Sequence, residues 1–408
     1  MASVVPDTRI TYNAVIFQPE LETMPRDELA RLQRDRLRER FDVELDALAD
    51  QPFTTKADLR DAYPFGMLRL PREDCVRIHA SSGTRGKPTI VAYTANDLAI
   101  WSEVCARAIA AAGGGPGTLV HNAYGYGLFT GGLGLHYGAE RLGCTVVPAS
   151  SGNTPRQAQL LEDLGAEILC CTPSYALAIA DHVEDAGKLG LRAGLFGAEP
   201  WTERIRGAIE DALHVCALDV YGLSEIVGPG VASECLEGLR GAHVNEDHFL
   251  VEVIDPETGA RLDEGEVGEL VFTTLTKEAM PLLRYRTGDL ASVARDPCPC
   301  GRTFARMSRI NGRTDDMLVI RGVNVFPSEI ERVLLAFDGL APHYQLVVER
   351  VERLDELTVQ VEGAVDSVPG KEQLERALGL SARVEVMEPG SIPRSEGKAL
   401  RVLDRRAD

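Results

Sequence analysis

The chain has 408 residues, 44% of them hydrophobic, which is enough for two or three cores without disulfide support. Its 43 Lys and Arg against 62 Asp and Glu give a formal charge of -19, which excludes a general nucleic-acid or anionic-membrane surface and requires a local basic site for any anionic substrate. No apolar stretch approaches the roughly 20 residues of a membrane span, and the amino terminus lacks the basic-then-apolar pattern of a secretory signal, so the sequence reads as cytoplasmic. The nine cysteines are scattered through apolar contexts such as Leu169-Cys170-Cys171-Thr172 and read as small core residues rather than a disulfide framework.

From Glu20 to Asp50 the spacing of Leu29, Leu32 and Leu37 predicts one or two amphipathic helices. Beyond Arg77, short apolar runs alternate with helical stretches: Thr118 to Ala123, Thr145 to Pro148, Ile168 to Thr172, Ala193 to Phe196 and Ala217 to Val220. This alternation predicts an α/β fold with a parallel sheet. After Glu234, the runs Phe249 to Ile254, Gly268 to Thr273 and Ala291 to Ala294 predict a β-rich subdomain over 234–311, completing a large amino-terminal unit over 1–311. From Gly312, strands at Met317 to Ile320, Gln345 to Val351, Leu357 to Val361 and Val384 to Met387, with helices at Ser328 to Ala336 and Lys371 to Leu378, predict a small α+β lid over 312–408.

The segment Ser81-Ser82-Gly83-Thr84-Arg85-Gly86-Lys87 joins hydroxyls, glycines and two cations, a chemistry suited to cradling a polyphosphate. It lacks Walker spacing, and alone it reads equally as a solvated turn. It is followed in order by Tyr221-Gly222-Leu223-Ser224-Glu225, Tyr285-Arg286-Thr287-Gly288-Asp289-Leu290, Gly312-Arg313-Thr314-Asp315-Asp316 and Arg394-Ser395-Glu396-Gly397-Lys398. With this set the chain resembles the adenylate-forming superfamily of acyl-CoA synthetases, luciferases and peptide-synthetase adenylation enzymes. Within it the resemblance is to phenylacetate-CoA ligases, carried by the segments from Ala123 to Gly134, Phe196 to Glu203, Phe272 to Pro281 and Ile320 to Pro327.

The resemblance implies two half-reactions: a carboxylate and ATP give an acyl-AMP, and CoA then displaces AMP. Ser81 to Lys87 would hold the ATP β and γ phosphates, with Thr84 as a donor. Glu225 would hold Mg²⁺, since a hard cation prefers carboxylate oxygen. Asp289 would accept the ribose hydroxyls, Arg313 would sit near ribose and phosphate, and Tyr221 would border the adenine alongside Gly222, Leu223 and Ser224. Gly197, Ala198, Glu199 and Pro200 belong to the matching nucleotide loop. Lys398 would bring an ammonium to the reacting carboxylate and α-phosphate. Asp315 matches the hinge about which the lid would turn, withdrawing Lys398 and presenting Arg321 and Gly322 to the incoming thiol.

By the same match Tyr124, Tyr126, Phe129, Gly132, Gly134, Phe196, Ala198, Gly222, Gly228 and Pro229 would wall a flat apolar slot for a phenyl ring. Phenylacetate is the first expected substrate, and substituted benzoates remain open. Cys298 and Cys300, one residue apart before Gly301, can present two sulfurs to one tetrahedral ion, with Cys235 and His243 as the second pair and His248 as a competing nitrogen ligand. Some members of the subfamily resemble this arrangement and hold a structural Zn²⁺.

Two departures stand out. The stretch from Arg36 to Pro52 is shorter than the family pattern, and Arg85 replaces a usual second Thr. Three alternatives share the motifs: an enzyme loading a carrier protein, ATP-dependent diazotisation of an aminobenzoate, and a nucleotide-binding regulator without chemistry. A homodimer is expected from the resemblance.

Overall fold

The computed structural model describes residues 14–81, 88–128, 130–314, 318–321, 323–325, 327–334, 337, 339–351, 354–363, 380–394 and 401–406. Outside these lie Ser82, Gly83, Thr84, Arg85, Gly86, Lys87, Phe129, Asp315, Gly322 and Lys398, together with the helix expected at Lys371 to Leu378.

The apolar runs read as parallel strands form half of a nine-stranded sheet. Strands Cys216–Leu223, Ala193–Gly197, Ile168–Cys171, Leu119–Asn122 and Thr145–Val147 lie side by side in parallel. All four residues of Ile168–Cys171 and all five of Ala193–Gly197 are buried, as expected of strands covered on both faces. Beyond Cys216–Leu223 the sheet becomes antiparallel through Gly228–Ser233, Ala242–Val244, Arg306–Met307 and Val293–Ala294. Part of the segment read as a separate β-rich subdomain therefore extends the main sheet. The run read as one strand at Ala291 to Ala294 is divided between this sheet and the strand Tyr285–Ala291.

Helices Ala95–Ala111, Gly131–Leu142, Thr154–Leu164, Pro173–Ala180 and Glu203–Leu213 alternate with these strands. Three are started by a threonine whose side chain accepts a backbone N–H: Thr94 from Asp97, Thr172 from Tyr175 and Thr202 from Ile205. Each such cap contributes about 1 kcal/mol. Helices Ala95–Ala111 and Gly131–Leu142 approach closely because Gly134 and Gly138 have no Cβ to strike Trp101 and Cys105.

A second, antiparallel sheet joins Phe249–Ile254, Gly268–Thr274, Tyr285–Ala291 and Gly312–Arg313. The last two residues, placed at the start of the lid by the sequence, thus complete a sheet of the large unit. The lid strands Leu340–Val351 and Leu354–Gly363 form a hairpin flanked in parallel by Val402–Asp404 and Arg383–Met387, with its own core around Ile330, Leu346 and Val359. Arg394 pairs with Glu362 inside the lid at 2.8 Å and reaches Asp181 of the large unit at 3.6 Å, while Arg204 donates to the Leu340 carbonyl at 3.2 Å. No helix of the described residues is long and apolar enough to cross a membrane.

The amino-terminal helix Arg26–Phe41 is fixed to the loop at residues 246–247. Arg26 pairs with Glu246, Gln33 donates to the Glu246 carbonyl at 2.8 Å, and Arg36 donates to the Asp247 carbonyl. Beneath that loop the buried Arg107 guanidinium holds Asp247 at 2.8 and 2.9 Å, Asn245 at 3.0 Å and Gln18 at 2.6 Å. Burial opposes the Asp247 charge, but His248 and Arg107 outweigh it and keep the carboxyl below its usual range.

A carboxyl depressed in the folded state contributes stability that is present above about pH 4 and lost as pH falls toward its folded value. Asp247→Asn removes one of two carboxylates paired with Arg107, Glu103 remaining at 3.0 Å, and should cost about 1–3 kcal/mol at pH 7. In denaturant unfolding the gap between wild type and variant should narrow as pH drops below about 4.

Candidate active site

The parallel strands deliver the expected site residues at their carboxyl ends, where ligand crevices form in α/β sheets. Tyr124 follows Leu119–Asn122, Ala198 and Glu199 follow Ala193–Gly197, and Glu225 follows Cys216–Leu223. The turn carrying Glu225 returns as the antiparallel strand Gly228–Ser233, with a register shift between Tyr221 and Gly222. Gly222 is required there, since a Cβ would collide with the Gly228 carbonyl.

Side chains from three other segments hold this turn. Tyr93 donates its hydroxyl to the carbonyls of Ser224 at 3.3 Å and Val227 at 3.2 Å. Lys277 Nζ donates to the Glu225 carbonyl at 2.8 Å, and the hydroxyls of Thr130 and Ser224 lie 2.8 Å apart. Tyr93 is itself stacked on Trp101 at 5.4 Å. The Glu225 side chain is 2% exposed, and its Oε1 has no hydrogen-bond partner among the described residues, with Lys56 Nζ 3.6 Å away. A buried carboxylate oxygen with no hydrogen bond and only a 3.6 Å ion pair keeps coordination capacity, and a hard divalent cation is a ligand that would use it. Mg²⁺ therefore fits Glu225.

The second centre is Asp289, on strand Tyr285–Ala291 and opposite Arg313 in the register. Tyr221 Oη donates to Asp289 Oδ2 at 2.8 Å, and Arg313 pairs with Oδ1 while its other nitrogen donates to the Thr287 carbonyl at 3.2 Å. The Tyr221 ring stacks on Phe272 at 6.0 Å. Burial and the Asp289 carboxylate raise the Tyr221 pKa, so the phenol stays a donor.

In the adjoining loop Ala198 is exposed with φ of 71°, a left-handed conformation that costs a non-glycine residue about 1–3 kcal/mol. Gly197 closes against the Val220 carbonyl, Glu199 accepts from the Ser174 backbone N–H at 2.7 Å, and Pro200 is exposed. Ser81 ends strand Arg77–Ser81, with a buried Oγ unpartnered among the described residues. Arg321 is exposed, has φ of 52°, and donates to Ser381 Oγ at 3.2 Å.

The expected acyl wall divides in two. Tyr126 accepts from Asn122 at 2.8 Å and lies 3.2 Å from His136, with Gly132 against the Gly125 carbonyl and the buried Tyr124 hydroxyl unpartnered among the described residues. Gly134, Gly228 and Pro229 instead seat Trp101, whose Nε1 donates to the Pro229 carbonyl at 3.1 Å, and Phe196 is fully buried against Trp201. These four do packing work.

Cys235, His243, Cys298 and Cys300 converge, with all four ligand atoms within 4.8 Å of one another. Cys235 Sγ lies 3.6 Å from Cys298 Sγ and 3.5 Å from His243 Nε2, and Cys300 Sγ is also 3.5 Å from His243 Nε2. Two thiolates on one tetrahedral Zn²⁺ with bonds of about 2.3 Å stand about 3.8 Å apart, so the set fits that ion. The hydrogen bond from Cys235 and the neighbouring His243 lower the Cys300 thiol pKa. The competition with His248 is decided for His243: His248 instead lies 3.2 Å from Glu103 and 3.3 Å from Asp247.

The sequence reading gave no role to Lys56, Tyr93, Thr130 or Lys277. Lys277 lies inside the matching segment from Phe272 to Pro281, which was the signal for it. Burial pushes its ammonium down to about 8, against the pull of Asp97 and Glu225.

Tyr221→Phe keeps the stack on Phe272 but removes the donor to Asp289, so AMP binding should weaken by about tenfold. Calorimetric titration of AMP checks this.

Residues 12–275 match the family model of the AMP-binding enzymes, and residues 322–406 match the AMP-binding enzyme C-terminal domain. The phenylacetate-coenzyme A ligase of Thermus thermophilus is 50% identical, covering 96% of this chain and all of that protein. That of Escherichia coli is 49% identical, over 95% of this chain and 97% of its own. The Thermus alignment runs over 444 positions against 408 residues here, so that relative has residues without a counterpart in this chain. Among solved structures, a 2-hydroxyisobutyryl-CoA ligase in its postadenylation state superposes with a TM-score of 0.86 at 28% identity, covering 99% of this chain and 94% of that one. The same ligase in its thioesterification state gives 0.69 at 30% identity, with 95% and 92% covered. The two units of this chain are thus arranged more nearly as in the former. The chain belongs to the AMP-binding, adenylate-forming enzymes, in the group that contains the phenylacetate-coenzyme A ligases.

Proposed function

We propose that this chain is an AMP-forming acid-thiol ligase that activates phenylacetate, or a close aryl acid, with ATP and transfers the acyl group to CoA. The observation that carries the reading is about 50% identity to phenylacetate-coenzyme A ligases over nearly the whole chain. The pairing of Tyr221, Asp289 and Arg313 supports it, because it fixes a buried carboxylate in the matching motif beside the Glu225 turn.

In the first half-reaction a carboxylate oxygen attacks the α-phosphorus, and the bond to the departing pyrophosphate breaks. Asp289 holds the ribose, and Arg313 and Tyr221 orient its carboxylate. The loop Ser81 to Lys87, with Thr84, grips the β and γ phosphates. Glu225 holds Mg²⁺, which when bound neutralises charge on the phosphate oxygens. Lys398 faces the reacting carboxylate and α-phosphate. In the second half-reaction the lid, taken as residues 312–408, turns about Asp315 and offers the Arg321 and Gly322 face to CoA, whose sulfur attacks the acyl carbon and expels AMP. Tyr124, Tyr126, Phe129 and Gly132 border the aryl group.

Cys235, His243, Cys298 and Cys300 hold a structural Zn²⁺ that cross-links the strands around residues 235–243 and 298–306, without an open position for chemistry. None of the nine cysteines is in a disulfide, which suits a reducing, cytoplasmic setting. The protein acts as a homodimer, which light scattering would test.

AMP release is to be measured across a panel of aryl acids with and without CoA, with the thioester identified by mass. The expected result is a CoA-dependent signal peaking at phenylacetate. Adenylation of a benzoate without acyl-CoA, or AMP formation needing nitrite and an aryl amine, would replace the reading with carrier loading or diazotisation. Lys398→Ala should lose adenylation by about 100-fold or more while still converting supplied phenylacetyl-AMP and CoA to the thioester. For the cluster, metal analysis of the purified protein should give zinc at one per chain. Gly238→Ala, whose Cβ would strike Cys298 Sγ, should lose most of it.

A further inference from the structure

Lys277 is buried, with 4% of its surface exposed, and the main chain that follows it is fixed. The Glu278 backbone N–H donates to Asp97 Oδ1 at 2.7 Å and that of Ala279 to Asp97 Oδ2 at 3.0 Å, while the Glu278 side chain accepts from Thr94 Oγ1 at 2.6 Å. The segment is thereby stapled to the first turn of helix Ala95–Ala111. From this anchor the side chain passes over the Tyr93 ring, with Nζ 5.3 Å from its centroid, and ends 2.8 Å from the Glu225 carbonyl. Burying an ammonium costs several kcal/mol, and an apolar side chain of similar length would fill the same space without that cost. What the apolar chain could not do is fix the Glu225 peptide.

We infer that Lys277 is a positioning residue for adenylation: by holding the Glu225 main-chain carbonyl it keeps Oε1, which accepts no hydrogen bond among the described residues, aimed at the divalent cation that accompanies ATP. The inference rests on the reading of Glu225 as the cation ligand. A ligand carboxylate released to rotate must be re-ordered each time the cation binds, so loss of the clamp weakens cation binding specifically. Tyr93 and Thr130 continue to hold Ser224 and Val227, which confines the effect to the peptide that Lys277 grips.

The test uses the full chain and the variants Lys277→Met, Lys277→Arg and Lys277→Gln, with Glu225→Gln as the reference. Phenylacetate-dependent exchange of pyrophosphate into ATP is titrated with Mg²⁺. Thioester formation from supplied phenylacetyl-AMP and CoA is followed separately, together with thermal unfolding. Lys277→Met is expected to raise the half-saturating Mg²⁺ by about tenfold and leave the second half-reaction within about twofold, whereas Arg or Gln, which keep a donor, recover most of the affinity. A Lys277→Met protein with the wild-type Mg²⁺ midpoint, while Glu225→Gln is shifted, overturns the inference and spares the Glu225 reading. An unshifted Glu225→Gln overturns both. Equal loss in the two half-reactions with a lowered melting temperature makes Lys277 merely structural and overturns the inference. If the Met variant does not fold, Gln decides: a tenfold rise with Gln, which retains a donor, contradicts the proposed hydrogen bond.

Discussion

The turn between Tyr221 and Val227 cannot move without stranding buried polar groups, and the surrounding site is built on that constraint. Its carbonyls at 224, 225 and 227 are taken by Tyr93 and Lys277 rather than by water. Leaving any one unpaired would cost about 1–3 kcal/mol. Tyr221 at one end is tied to Asp289, and Gly228 at the other packs on Trp101. A displacement at Glu225 would therefore be felt in both the Asp289 carboxylate and the core between the two helices. Preorganisation of this kind is how a site avoids paying reorganisation energy during reaction.

Much of the fold was legible in the sequence because burial on both faces writes a simple pattern. Ile168–Cys171 and Ala193–Gly197 are short apolar runs bounded by turn residues, and both form central parallel strands. Gly228–Ser233 was not legible: Gly-Pro-Gly reads as a turn, and its pairing depends on the close approach of Gly222. Tyr285–Ala291 was hidden for the opposite reason, since Arg286, Gly288 and Asp289 interrupt an otherwise apolar strand with groups the site requires.

The same contrast holds for individual side chains. Glu225 and Asp289 stood out only because their motifs occur together and in order; neither carries a local signal of its own. The four zinc-type ligands were readable as two close pairs with His243 preferred, but the reason His248 stands apart was not, because it depends on Asp247 and Glu103 drawing His248 into the Arg107 network. Nothing in the neighbourhood of Lys277 distinguishes a buried lysine from a solvated one. Its burial follows from Asp97, about 180 residues away in the chain, capturing the two backbone N–H groups that follow it.

Arg394 stands at the boundary between the two units and is satisfied twice. It grips Glu362 of its own unit through two nitrogens, at 2.8 and 3.0 Å, while Asp181 across the boundary lies 3.6 Å away on a side chain already 55% exposed. Parting of the units would leave Arg394 paired and return Asp181 to water, so the contact is a surface ion pair worth about 0–1 kcal/mol. It is a light mooring, weak enough to be released and remade, and screened further as ionic strength rises.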